Sequence, residues 1–280
     1  MHYGKYASLY LKRTFFFDAN PPLGKLLIAA VGYLAGFDGD FDFAKIGTAY
    51  TDDVPVFALR LLPAVAGAGI TPTVYLILME LGLGVWASAL AGIMVILDTA
   101  ILAQSRFILL ESIMIVFSLI AVLATLKFTK VITTWSIRWW FWLTTLSTTM
   151  GMAFCVKFMA IYSCWLCSAL LLRSFWRRLA DNTLSNVSLA VEFAVQAFVV
   201  VAVPLSIYVG SFYVHLAILT KAGVHDALMT SAFQASLEGG LSSIVEGQPK
   251  VIAHGSQITL RHTHGKTCWL HSHEHVYPVR

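Results

Sequence analysis

The chain has 280 residues, of which 58% are hydrophobic and only 12% are charged, and its mean hydropathy is +0.75. A single soluble core of this length cannot bury so much apolar surface, which excludes a purely water-soluble protein. The formal net charge is +4, but the basic residues are scattered among apolar blocks, and this argues against a nucleic-acid-binding surface. The composition therefore indicates an integral membrane protein.

Residues 1–54 mix aromatic residues, glycine, proline and charge. Their one apolar stretch, residues 26–37, is shorter than the roughly 20 residues that cross a hydrocarbon core of about 30 Å. We therefore predict that this region lies against the membrane as a loop and does not span it.

Six apolar segments of approximately spanning length follow this region, which predicts an all-α polytopic membrane protein. Tryptophans cluster where the fourth segment begins, as expected at a bilayer interface. The predicted spans are 55–78, 83–102, 107–126, a segment beginning within 135–142, 158–172 and 189–209.

Basic residues gather in two turns, 127–138 and 173–178. Lysine and arginine are enriched in the cytosolic loops of membrane proteins, so we assign both turns to the cytosol. Alternation of the spans then puts residues 1–54 and the residues after about 210 on the other face, which is the lumen if the membrane is that of the endoplasmic reticulum.

From about residue 245 the pattern changes to short alternating stretches separated by glycine, which predicts strands and turns. Six of the nine histidines fall in the last 27 residues. The spacing of His271, His273 and His275 would put them on one face of a strand, but no further cysteine or carboxylate pair is placed to close a tetrahedral site. We expect no metal there.

Four ionisable residues lie inside or at the mouth of predicted spans: Arg60, Arg106, Glu111 and Lys157. Charges at membrane depth are costly, which makes each of them a candidate functional residue. The predicted topology places all four on the same face, where the three cations could bind an anionic lipid phosphate. The alternative is structural: Arg106 pairs with Glu111 between helices, and Lys157 extends to the interface.

Asp18 is a further candidate, because it lies between three consecutive phenylalanines and the restricted Pro21-Pro22 turn. Such a segment can hold a carboxylate at a membrane surface. The alternative is an ordinary N-cap or turn aspartate before the helix that includes Leu26.

Several strings in the first third of the chain resemble, in order, the first lumenal loop and following span of the protein O-mannosyltransferase family. Other strings, at 104–106, 109–112, 139–144, 183–187 and 231–240, are most similar to the protein O-mannosyltransferase 1 branch. Asn20 stands where many relatives have histidine. The strings of the first third are His2-Tyr3-Gly4-Lys5, residues 13–18, 21–25 and 32–39, and Leu59-Arg60-Leu61-Leu62-Pro63.

The resemblance implies an incomplete C-type glycosyltransferase fold that continues into a lumenal β-trefoil, the MIR domain. Strings at 255–261 and 268–273 resemble the opening repeat of that domain. The implied organisation is a first lumenal loop (1–54), a transmembrane region (55–210), a lumenal connector (211–244) and the first MIR repeat (245–280). On this reading the chain is truncated at both ends.

The resemblance also implies an inverting glycosyltransferase of the endoplasmic reticulum membrane. It would transfer mannose from dolichyl phosphate mannose to Ser/Thr hydroxyls of secretory-pathway proteins. The enzyme would need no cofactor and would work as a heteromer with the second O-mannosyltransferase subunit. Asp18 and Arg60 match functionally important positions of the family and are predicted to be catalytic; Arg106, Glu111 and Lys157 are predicted to bind substrate.

One departure bears on activity. Relatives carry an Asp-Glu pair, the expected catalytic base, before the string that begins at His2, and here only Met1 precedes it. We therefore expect this chain to be inactive by itself, with Met1 as an internal methionine of a longer protein. The alternative function is a non-catalytic membrane subunit or regulator. A transporter is disfavoured, because no internal repeats or paired broken helices are evident.

Overall fold

The computed structural model describes residues 2–41, 43, 48–180, 185–240, 251, 253–255 and 258. The described chain is helical, and its only β pairing consists of isolated bridges that link Lys221 to Thr14 and to Glu238. Short 3-10 turns occupy Phe158–Ala160 and Asp226–Leu228. The helices are α1 (His2–Leu11), α2 (Leu23–Leu34), α3 (Val56–Glu80), α4 (Val85–Leu97), α5 (Thr99–Arg106), α6 (Glu111–Thr129), α7 (Ile137–Val156), α8 (Ile161–Leu179), α9 (Asn186–Ile218) and α10 (Ser231–Ser236).

Four of the helical segments are long and apolar enough to cross a membrane: α3, α6, α8 with its preceding turn, and α9. The pair α4 and α5 makes a fifth if it is counted as one bent span. Helix α7 corresponds to the remaining predicted span and has 20 residues, but it carries several hydroxyl side chains. Those of Thr144, Thr145, Ser147 and Thr149 bond to carbonyls one turn earlier, which satisfies them without a partner helix.

The predicted span 83–102 is interrupted in the structure, where α4 and α5 meet at an angle of 57°. Asp98 adopts an extended conformation at the break, and its Oδ1 accepts hydrogen bonds from the amides of Ala100 (2.9 Å) and Ile101 (3.0 Å). The aspartate thus caps a new helix. The predicted span 83–102 therefore corresponds to a bent helix pair, because a capping residue lies inside the apolar run.

Residues 2–41 form two helices and a connecting turn packed on one end of the bundle, rather than only a loop. The buried core at this end joins Tyr10 and Phe16 to Leu59 of α3 and Leu110 before α6. Gly24 permits this contact, because a Cβ at that position would lie 2.8 Å from a methyl group of Leu110. The first two helices are therefore part of the same packed body as the spans.

The two ends of the bundle are defined by ion pairs. Glu80, at the last residue of α3, pairs with Lys127 and Lys130 at the end of α6. The first turns of α3 and α6 consequently share the opposite end, where Glu111 pairs with Lys157 just after α7. We call the end with Glu111 the site end and the end with Glu80 the far end.

The predicted MIR repeat at 245–280 lies almost entirely outside the described residues. It stays a prediction, as does the assignment of the site end to the lumen.

Candidate active site

Asp18 and Lys25 form an ion pair at the site end. Lys25, in the first turn of α2, is only 2% exposed, and its Nζ donates to Asp18 Oδ2 (2.5 Å) and to the carbonyl of Asn20 (2.8 Å). The hydroxyl of Tyr6 donates to the other carboxylate oxygen, at 3.3 Å. Asp18 is therefore not an N-cap, since Pro22 occupies that position of α2. The carboxylate is held between two helices.

The surroundings of this pair are aromatic and weakly hydrated. The Lys25 Nζ lies 5.4 Å from the ring centroid of Tyr6 and 5.9 Å from that of Phe16. Burial lowers the pKa of Lys25, and the hydrogen bond and charge of Asp18 oppose that effect. The pKa of Tyr3 is raised to about 12 by burial and then by the charges of Glu111 and Asp18. The first turn of α1 thus lies within the field of two carboxylates.

Glu111 and Lys157 form the second ion pair, with Lys157 Nζ donating to Glu111 Oε1 at 2.9 Å. Glu111 is the first residue of α6, and Lys157 has an extended backbone between α7 and the following 3-10 turn. The other carboxylate oxygen of Glu111 is buried and has no hydrogen-bond partner within the described part of the chain. The ion-pair partner of Glu111 is Lys157, in contrast to the pairing with Arg106 considered above.

Arg60 lines a cavity of about 320 Å³, which we call the Arg60 cavity. Its guanidinium lies 5.9 Å from the ring centroid of Tyr50, and its Nε is buried without a hydrogen-bond partner among the described residues. The remaining walls are Gly4, Phe43, Phe107, Ile108 and Leu109. A cation with an unused donor therefore faces a mainly apolar space.

Arg106 ends α5 and is exposed. It lines a separate cavity of about 330 Å³ between α3 and the α4–α5 pair. The two sides of that cavity approach closely at Gly67, where an added Cβ would lie 2.4 Å from the Cβ of Ser105. The structure therefore places Arg106 at the site end but in a cavity that neither Arg60 nor Asp18 lines.

A third cavity, of about 540 Å³, opens beside Asp18, and we call it the Asp18 cavity. Its walls come from the α1–α2 turn, the end of α9 and the segment around α10. Backbone hydrogen bonds tie these walls together, with Phe15 N donating to Lys221 O (2.8 Å) and Lys221 N donating to Arg13 O (2.9 Å). Gly223 allows the close approach, since a Cβ there would meet the carbonyl oxygen of Phe15 at 2.0 Å.

No three metal-ligating side chains converge in the part of the chain that the structure describes. The sequence profile of the dolichyl-phosphate-mannose-protein mannosyltransferase family matches residues 1–220. The chain belongs to this family. The helical architecture of the described residues matches that of a protein O-mannosyltransferase structure, and the predicted family is confirmed.

Known mannosyltransferases align along the whole chain. Protein O-mannosyltransferase 1 of Drosophila melanogaster is 46% identical over 280 residues, covering 100% of this chain and 32% of its own length. Protein O-mannosyl-transferase 1 of Homo sapiens is 40% identical over 306 residues, covering 100% of this chain and 41% of its own. The Pmt1-Pmt2 complex of S. cerevisiae bound to the sugar donor contains a chain that matches with a TM-score of 0.86 and 29% identity, over 99% of this chain and 38% of that one. The chain thus spans about a third to two fifths of these relatives.

Two residues of this candidate site were not selected from the sequence. His215, near the end of α9, lines the Asp18 cavity, and its Nδ1 is hydrogen-bonded to the hydroxyl of Tyr10 at 2.6 Å. A histidine within an apolar span is itself a signal of function, since ionisable residues are rare there. Tyr10 offered no such signal, because its role depends on a partner 205 positions away.

Proposed function

We propose that the protein containing this chain transfers mannose from dolichyl phosphate mannose to Ser/Thr hydroxyls of secretory-pathway proteins. The observation that carries this proposal is the set of buried polar atoms without partners at the site end, in a chain that belongs to the mannosyltransferase family. Two charged groups there, Arg60 and Glu111, keep buried polar atoms without partners in the described chain. Such atoms are costly unless a ligand satisfies them.

The phosphate of the donor is proposed to bind Arg60. Guanidinium is suited to phosphate because it is always charged and presents several donors in one plane. The apolar walls at Phe107, Ile108 and Leu109 suit the first units of a polyprenyl chain. A cation at this position stabilises the negative charge that grows on the phosphate as it leaves. Arg106, at the mouth of the neighbouring cavity, is proposed as a second contact with the donor.

The carboxylates are proposed to orient the reacting groups. In an inverting transfer, the acceptor hydroxyl attacks the anomeric carbon, the lipid phosphate leaves, and a carboxylate takes the hydroxyl proton. Asp18 is held by Lys25 and Tyr6 at the site end, and Glu111, held by Lys157, keeps one oxygen that can accept from a substrate hydroxyl. Tyr3 brings the start of α1 close to both. The expectation that residues 1–280 are inactive by themselves stays a prediction.

The partner and the compartment are carried over from the relatives. The matched yeast structure is a complex of two mannosyltransferase subunits with the sugar donor, which supports a heteromer with a second O-mannosyltransferase subunit. Several apolar helices fit a multi-pass protein of the endoplasmic reticulum membrane, and the site end is proposed to face the lumen. No cofactor is proposed, since dolichyl phosphate mannose is the donor substrate.

The test uses the natural protein that contains this chain, co-expressed with its second subunit in membranes. Transfer from radiolabelled dolichyl phosphate mannose to an acceptor peptide is measured for wild type and for Arg60→Ala. We expect a loss of about 10²- to 10³-fold, as for removal of a charge-stabilising donor. The control is Arg138→Ala, an exposed arginine at the far end. Equal activity of Arg60→Ala and wild type at equal protein levels would refute the assignment.

A further inference from the structure

The chain returns to the turn between α1 and α2 after α9 ends, and we call residues 219–240 the strap. Two backbone hydrogen bonds join the strap to that turn: Phe15 N donates to Lys221 O at 2.8 Å, and Lys221 N donates to Arg13 O at 2.9 Å. Lys221 is thereby paired in parallel with the segment that leads into Asp18. The strap is therefore bonded to the backbone just before the residue that bears the carboxylate.

The strap also closes on itself. Ala222 N donates to Glu238 O at 2.8 Å, and Glu238 N donates to Thr220 O at 2.7 Å, so the two ends of the strap lie side by side. Leu219 and Leu237 anchor these ends in the buried core, where they are 1% and 3% exposed. A surface loop whose ends are joined and anchored in this way holds a fixed position on the fold.

Gly223 lets the strap approach the turn more closely than a residue with a Cβ would allow. A Cβ at this position would lie 2.0 Å from the carbonyl oxygen of Phe15 and 2.9 Å from a methyl group of Thr14. The φ of Gly223 is not positive, so an alanine could adopt the same backbone conformation. Glycine is thus needed at this position for space and not for conformational freedom.

Two further contacts fix the part of the turn next to Asp18. The ring of Phe233, in α10, meets the ring of Phe15 edge to face, with centroids 5.0 Å apart. His225 Nδ1 accepts a hydrogen bond from the amide of Phe17 at 3.4 Å. With the backbone pairing, these contacts reach the turn on both sides of its middle, and the next residue along the chain is Asp18.

Asp18 is thus held from two directions. The ion pair with Lys25 of α2, at 2.5 Å, orients the carboxylate. The contacts of the strap place the backbone that carries it. Both are needed to fix a carboxylate, because an oriented side chain still moves with its own backbone.

We propose that the strap positions the Asp18 carboxylate for mannosyl transfer, with Gly223 as the residue that sets how closely the strap and the turn pack. This rests on the function proposed above, in which Asp18 orients the reacting groups. Misplacement of a reacting group by about 1 Å can cost about 10²-fold in rate. A contact that cannot accept one added carbon is tight enough to control placement on that scale. In the alternative, the strap only stabilises the site end, and the reaction is equally fast in every molecule that folds.

The test measures single turnovers of the natural protein with its second subunit. The complex is held in excess over radiolabelled dolichyl phosphate mannose, at a saturating concentration of acceptor peptide. The rate constant of a single turnover then reports the reacting complex and does not depend on the fraction of protein that is folded, which doubling the protein concentration checks. A loss of folded protein would appear instead as a lower melting temperature or a lower yield of complex.

Gly223→Ala is expected to lower this rate constant about ten- to hundredfold, because the Phe15 carbonyl has to move away from the new Cβ. The matched control is Gly210→Ala in α9, where a Cβ would have no neighbour within 4 Å in the described chain. The control should keep the wild-type rate constant. An unchanged rate constant for Gly223→Ala, with or without a lower melting temperature, would overturn the proposal.

Lys221→Pro loosens the strap by a different route, since it removes the N–H that donates to Arg13 and adds no atom at Gly223. The rate constant should fall by less, about three- to tenfold, as for one hydrogen bond. Lys221→Ala keeps the N–H and changes only an exposed side chain, so it should match wild type. This pair decides the question if Gly223→Ala does not accumulate, and a wild-type rate constant for Lys221→Pro would contradict the role of the strap.

Binding of tritiated dolichyl phosphate mannose to the purified complex keeps this inference distinct from the proposed function. Donor binding by wild type without any transfer to peptide would refute the proposed function. Transfer by wild type, together with wild-type rate constants in Gly223→Ala and Lys221→Pro, would refute only the role of the strap.

Discussion

Glu80 and Glu192 at the far end differ from Glu111 and Arg60 at the site end in how completely their polar atoms are hydrogen-bonded. At the far end, both oxygens of Glu80 are paired with lysines, and both oxygens of Glu192 are paired with Arg178, with Gln196 adding a third contact at 2.9 Å. At the site end, Glu111 uses one oxygen and leaves the other buried without a partner in the described chain. The Arg60 Nε is left in the same way.

This contrast separates charged groups that stabilise the fold from charged groups that are available to bind a ligand. A fully paired buried carboxylate has all its hydrogen-bonding needs met within the fold. Its removal leaves the charge of its partner unpaired. A half-paired buried carboxylate keeps hydrogen-bonding capacity at the expense of stability. Substitutions of these site-end groups should therefore mainly lower activity, and substitutions of the paired glutamates at the far end should mainly lower stability.

The largest effect is expected for stability at the far end. Glu192 is 3% exposed, so Glu192→Ala leaves the Arg178 guanidinium without its carboxylate and should lower the free energy of unfolding by about 3–5 kcal/mol. Thermal unfolding in detergent measures this. Replacing both residues with methionine removes the unpaired charge and should recover most of the loss. An unchanged melting temperature for Glu192→Ala would contradict the claim that the paired charges of the far end stabilise the fold.

A smaller effect, on activity, is expected at the site end and would sharpen the comparison between the two ends. Glu111→Gln weakens the carboxylate that is available to substrate, and mannosyl transfer should fall about ten- to hundredfold, as for loss of a hydrogen bond to a charged group. Glu80→Gln is the matched control, because it makes the same change at an ion-paired glutamate of the far end. The comparison fails if both variants lose activity to the same extent.

The smallest effect concerns alkaline stability at the site end. The folded-state pKa of Tyr3 is about 12, above its ordinary value of 10.0. Its stabilising contribution is present in full below pH 10 and is lost as pH rises towards 12, because the unfolded phenol ionises first. Tyr3→Phe should flatten the fall in stability between these pH values, measured by denaturation at several pH values. Tyr213→Phe should leave the curve unchanged, whereas a flattened curve for both would point to a non-specific effect.

Much of the architecture could be predicted from the sequence, because a span is a local property of length and apolarity. The predicted segments correspond to α3, α6, α8 and α9, and alternation correctly placed Arg60, Glu111 and Lys157 at one end. The break at Asp98 was missed, since hydropathy averages over a capping residue. Helices α1 and α2 were predicted as a loop, because their stability comes from packing on the bundle more than from a long apolar run.

The site was only partly predictable. Asp18 was selected because of the residues beside it in the sequence. The choice between a helix cap and a functional carboxylate required the structure, in which Lys25 Nζ lies 2.5 Å from Asp18 Oδ2. His215 was overlooked in an otherwise apolar span, and only its contact with Tyr10 and the cavity shows what it can do.

By itself, the sequence determined that the chain is a membrane protein, where its long apolar helices lie and to which family it belongs. These follow from composition, from runs of about 20 residues and from short strings of neighbouring residues. The tertiary structure alone decided which charges are paired, which polar atoms are left for a ligand and where the cavities lie. Its contacts join residues such as Glu111 and Lys157, which are 46 positions apart, and only close packing of whole helices brings such side chains together.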